Sequence, residues 1–150
     1  MAGSVSAAWT SDFRGEARIK RVTFTCTSDT STKDIPDTDF NSADEVTGYY
    51  MLNIMAYPTS GGTPPDAANV FILDENNLDL LGSIDGGTTA YNGLNLIHAT
   101  LAKMNLPSYL DTKAGSNVNF YHLVTGELTL RVTGMTTGLA DYTIVCTFIR

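Results

Sequence analysis

The sequence predicts an all-β fold, a single-domain antiparallel β-sandwich of about seven to eight strands, from three features of the chain. Runs rich in β-branched residues alternate apolar with polar. Loops of Gly, Pro, Asn and Asp separate them, and no long segment has helical period. A chain of 150 residues, 43% apolar and 17% charged, is long enough to bury a core of its own without metals or disulfides.

Residues 1–16 are small and polar around Trp9 and Phe13, which predicts an extended N-terminal arm ordered only by what it touches, ahead of a sandwich domain spanning 17–150. From Ala17 to Thr27, Val22, Phe24 and Cys26 alternate with Arg21, Thr23, Thr25 and Thr27, the period of a strand with one buried face. Ser28 to Thr47 is a polar stretch with Pro36 in its middle, long for a loop. Gly48 to Tyr57 is apolar on both faces, which suits a central strand or one covered by a neighbouring subunit, and Pro58 ends it.

Val70–Leu73 and Leu78–Leu81 flank the polar tetrad Asp74-Glu75-Asn76-Asn77 and predict a β-hairpin. A glycine-rich loop follows over 82–93. Leu94, Ile97, His98 and Leu101 fall at helical spacing, predicting at most one short helix over 94–104. Val118–Val124, Leu128–Thr133 and Tyr142–Ile149 read as the remaining strands.

The charge of −7 argues against nucleic-acid binding, which requires an excess of Lys and Arg. The imbalance is local: from Asp29 to Asp85 Lys33 is the single base, whereas Arg14, Arg18, Lys20 and Arg21 cluster near the start. An acidic middle and a basic end suit head-to-tail contact between copies, or docking on a charged partner. No apolar run approaches the ~20 residues that span a bilayer, so no membrane partner is expected, and the first residues lack the pattern of a signal peptide.

Cys26 and Cys146 each sit in an apolar β run and read as buried free thiols, with pairing left open should their strands be neighbours. No nucleophile elbow, phosphate loop or zinc-ligand spacing occurs, which predicts no enzyme and no cofactor. His98 and His122 lie among apolar residues as wall residues, and Ser60 has no evident activating partner. The sets Asp34, Asp37, Asp39 and Asp74, Glu75, Asn76, Asp79 offer oxygen ligands for calcium but match no EF-hand. Tyr49, Tyr50, Tyr57, Tyr91, Tyr109, Phe120 and Tyr121 suit core or interface packing better than a sugar platform.

The run Phe71-Ile72-Leu73-Asp74-Glu75-Asn76-Asn77-Leu78-Asp79-Leu80-Leu81, the glycine-rich loop after it, Gly126 to Gly134, and the ending Phe148-Ile149-Arg150 resemble a pattern in small structural proteins of tailed bacteriophages. The resemblance covers roughly the second half of the chain. It implies a virion component made in the host cytoplasm, assembled as a homo-oligomer such as a trimer, on the major capsid protein or another virion protein. A capsid decoration (cement) protein is the first expectation, with a neck, tail or baseplate accessory protein as the alternative and a carbohydrate-binding β-sandwich as the competitor from another class. For attachment to the shell the residues expected to make contact are Trp9, Phe13, Arg14, Arg18 and Arg21.

Overall fold

A computed structural model describes residues 1–81, 94–105 and 123–150, and among them every regular element is a strand. These are β1 (Ser4–Arg14), β2 (Ala17–Thr27), β3 (Thr38–Phe40), β4 (Tyr50–Pro58), β5 (Ala68–Asp74), β6 (Leu94–Ile97), β7 (Lys103–Asn105), β8 (Leu128–Thr133) and β9 (Asp141–Ile149). They form two antiparallel sheets, one ordered β1-β2-β9-β4-β7 and the other β3-β8-β5-β6. The protein is a β-sandwich, as its alternation predicts.

The core lies between the sheets. Val22, Phe24 and Cys26 of β2, Ile144, Cys146 and Phe148 of β9, and Met51, Ile54 and Ala56 of β4 pack with Phe40, Leu128, Leu130, Val132, Val70 and Ile72 of the opposite sheet. Phe24 meets Phe40 edge-on across the layers, with ring centroids 5.0 Å apart. Burying each large apolar side chain contributes about 1.5–3 kcal/mol, so this shared layer is what holds the two sheets together. β4 is central, between β9 and β7, and a bulge between Met51 and Asn53 sets its alternation. That position explains why its sequence is apolar on both faces.

Three expectations are corrected. Residues 4–14 are not a free arm: they are β1, paired with β2 without interruption from Ser4↔Thr27 to Arg14↔Ala17. Gly15, at φ 64°, makes the tight turn between them, and such two-residue turns favour glycine because they need a positive φ. The helix over 94–104 is absent, because Leu94–Ile97 pairs with β5 and Lys103–Asn105 pairs with β4. Between them His98 Nδ1 accepts the N–H groups of Thr100 and Leu101, turning the chain from one sheet to the other. Long-range pairing has overridden a short helical pattern.

The hairpin after β5 turns as predicted, with Asp74 Oδ1 accepting N–H bonds from Asn76 and Leu78 and with Asn77 at φ 61°. Its return arm is not a second full strand. It joins β5 through the Leu73↔Asp79 bridge and the Leu80 N–H to Ile72 carbonyl bond. Of the strand expected over 118–124, residues 118–122 lie outside the described residues, while Leu123 bridges to Tyr50.

The polar loop after β2 turns inward, placing Ile35, Phe40 and Val46 in the core. Asn41 is buried there. Its Oδ1 accepts the Val46 N–H, and its Nδ2 donates to the Gly126 carbonyl and to Thr47. Cys26 lies opposite Tyr142 and Cys146 opposite Val22 on the neighbouring strands β2 and β9. That is an offset of four residues, about 13 Å along the ladder, beyond the roughly 7 Å that a disulfide spans. Both cysteines are free thiols.

Candidate functional site

The feature with the clearest chemistry of its own is the outer edge of β1. Three sheet edges are short: β3 and β7 have 3 residues each and β6 has 4, with a register shift where it meets β5. Short or bulged edges offer little to an incoming strand. Among the described residues β1 is an edge, 11 residues long with an unbroken register, and it contains no proline and no lysine.

The ladder fixes which of its backbone groups point away from β2. Arg18 and Arg150 exchange both of their backbone hydrogen bonds, at 2.9 and 3.0 Å, so the even-numbered residues of β2 bond towards β9. In an antiparallel strand this direction alternates residue by residue. The odd-numbered residues of β2 therefore bond to β1, and by register their partners are Ser4, Ser6, Ala8, Thr10, Asp12 and Arg14. The N–H and C=O groups of Val5, Ala7, Trp9, Ser11 and Phe13 consequently point outward from the sheet. Phe13 confirms this parity, because its N–H donates to its neighbour's carboxylate, Asp12 Oδ1, at 2.8 Å.

The five residues expected to make contact divide between two faces. Trp9 points inward, its ring 6.3 Å from both Phe40 and Phe148, and it closes the end of the core. Phe13 lies on the same side of the strand but beyond the core, and is 70% exposed. Arg18 is its partner in the register and is also exposed, so the two are neighbours on one face. Arg14 projects from the opposite face and pairs with Asp12 at 3.0 Å, and Arg21 is half-buried between Thr10 and Thr147. The structure thus gathers Phe13, Arg14 and Arg18 at the turn end of the hairpin. Trp9 is half-buried and packs against the end of the core, away from that group.

Other candidates are absorbed by the fold. Asp37 pairs with Arg131 at 2.6 Å and Asp39 accepts a bond from Thr129, while Asp79 Oδ1 accepts the N–H groups of Ile72 and Leu81. Among the described residues no group of three or more His, Cys, Asp or Glu is placed to hold a metal. Tyr49 is buried beneath Lys20, whose Nζ sits 5.6 Å from the ring centroid and donates to the Glu45 carbonyl. Tyr50 is exposed and Tyr57 half-buried. Tyr91, Tyr109, Phe120, Tyr121 and His122 lie outside the described residues.

No family model matches the chain, and no curated protein matches it. Among solved structures it is similar to the CBM22-1 xylan-binding domain of Xyn10C from Paenibacillus barcinonensis. The identity is 14% and the TM-score 0.39, over 99% of this chain and 95% of that one. A superposition this loose carries no argument about ligand or function.

The open edge itself was missed in the sequence. Its signal was Gly15-Glu16 between two segments of equal length, the first carrying Val5, Trp9 and Phe13 at odd positions among Ser, Ala and Thr.

Proposed function

We propose that this protein is a non-catalytic assembly component of a tailed-bacteriophage virion, a decoration protein that attaches to the outside of the capsid shell. The observation that carries this reading is the long unprotected edge of β1 ending in Phe13, Arg14 and Arg18, beside three edges kept short. A domain that works alone gains nothing from such an edge and risks aggregation, whereas a domain completed by neighbours uses it. The resemblance of residues 71–81 and 126–134 to phage structural proteins supplies the class of particle. The acidic stretch from Asp29 to Asp85 keeps the rest of the surface soluble and directs contact to the basic end.

The test is co-sedimentation of the full chain with shells purified without it from the phage that encodes it. The double variant Arg14→Glu, Arg18→Glu alters two exposed side chains and leaves the core alone. The wild type is expected to sediment with shells and the variant to bind about tenfold more weakly or worse, as when charges at an interface are reversed. Failure of the wild type to bind shells, with retention on an insoluble polysaccharide instead, would overturn the reading in favour of a sugar-binding module.

A further inference from the structure

We propose that the open edge of β1 is completed by β1 of a second copy, antiparallel across a two-fold axis at Trp9, joining the two larger sheets into one continuous sheet. This deepens the assembly reading by naming the partner of that edge.

The argument begins with parity. Val5, Ala7, Trp9, Ser11 and Phe13 carry the outward N–H and C=O groups, and an antiparallel partner must present outward groups opposite them. Trp9 is the middle residue of Ser4–Arg14, so placing Trp9 opposite Trp9 pairs the strand along its whole length. In that register Val5 meets Phe13 and Ala7 meets Ser11, so every outward group has a partner opposite it, the Phe13 N–H exchanging its bond to Asp12 for one to Val5. Two bonds for each such pair give about ten hydrogen bonds, which is what an ordinary specific interface contains.

Side chains agree with this register. Phe13, 70% exposed in the single chain, gains half-buried Val5 of the second copy as its cross-strand neighbour. Charge also permits it. Ser4 to Ser11 is uncharged, so Asp12 faces Ser6 and Arg14 faces Ser4 of the other copy, and no like charges are opposed. A two-fold axis uses the same patch on both chains, so one open edge per chain closes the assembly.

Sedimentation equilibrium of the full chain from about 1 to about 200 μM brackets the affinity expected of a modest interface and should show a monomer–dimer equilibrium. Ala7→Pro removes an outward N–H while leaving the bonds to β2 in place, so it should fold and be monomeric. Phe13→Asp should weaken the dimer at least tenfold without altering the thermal melt of the monomer. For the register, Ala8→Cys mixed with Thr10→Cys should oxidise to the mixed disulfide in preference to either self-pair, because Ala8 faces Thr10 of the other copy at a close, non-hydrogen-bonded position. The native cysteines are buried and do not compete.

A monomer throughout this range would overturn the proposal, as would a dimer indifferent to both Ala7→Pro and Phe13→Asp or one without the mixed disulfide. Shell binding is measured separately. A monomer that still attaches to shells overturns self-pairing alone, and a dimer that ignores shells overturns the virion reading alone.

Discussion

Asp79 is the residue whose chemistry is most unlike its surroundings: a carboxylate 2% exposed, between Leu78 and Leu80 in an apolar run. Its Oδ1 accepts the N–H groups of Ile72 and Leu81, both at 3.1 Å, and so ties the return arm to β5 where no full strand forms. Removing the acceptor strands two buried donors. Asp79→Ala should therefore destabilise the domain by about 3 kcal/mol, because each unsatisfied buried group costs roughly 1–3 kcal/mol. Urea unfolding measures this, and a change below about 0.5 kcal/mol, the ordinary range for surface substitutions, would refute it. Asn41 plays a comparable part beneath the polar loop, with its carbonyl and amide both engaged. Asp and Asn in these stretches looked like ligands or solvated surface. Sequence shows that a side chain is polar, but not which backbone donors lie within its reach.

At the scale of elements, β1 has two sides with different tasks. Trp9 fastens it to the core against Phe40 and Phe148, while its outer backbone stays open. Cutting away residues 1–16 therefore exposes the Trp9 site and uncovers β2, so such a truncation does not separate binding from folding. Trp9→Ala should cost about 3 kcal/mol, the low end for removing a Trp from a core, since the ring is only half-buried. Phe13→Ala, four residues further along the same face, should cost almost nothing in a monomer. Thermal melts of the two variants under conditions where the wild type is monomeric test the contrast, and equal costs would mean that the core does not end at Trp9. Legibility followed the same division. Ala17–Thr27 and Leu128–Thr133 were read to the residue because one face of each is buried against apolar neighbours. β6 and β7 were missed because three or four residues cannot outweigh helical spacing, and their identity comes from β5 and β4.

For the whole molecule, the shared core carries a pH dependence. Burial pushes the Cys26 thiol from its ordinary 9.0 to about 12. Burial, with the nearby Cys26, raises Cys146, and burial likewise raises the Tyr142 phenol above its ordinary 10.0. Each of these groups is held neutral in the fold and ionises more readily in the unfolded chain. Their contribution to stability is therefore fully present below about pH 9, where thiols in the unfolded chain are protonated, and is lost as pH rises towards the folded values. The melting temperature should be level between about pH 7 and 8.5 and fall from about pH 9 upward, with a shallower fall in Cys146→Ala. A melting temperature still level at about pH 11 would contradict the burial of all three groups.

By itself the sequence determined that the chain is a β-sandwich, where β2, β4, β8 and β9 run and that its cysteines are buried, because alternation and β-branching are local and each position reports its own face. It also placed four of the nine bases between residues 14 and 21. Only the tertiary structure decided that residues 4–14 are an edge strand, that Trp9 packs against the core while Phe13 is exposed, and that the two cysteines sit too far apart to bond. Those are facts of register. Shifting a strand by one residue exchanges its faces and reverses which backbone groups point outward, and register is set by partners far away in the chain.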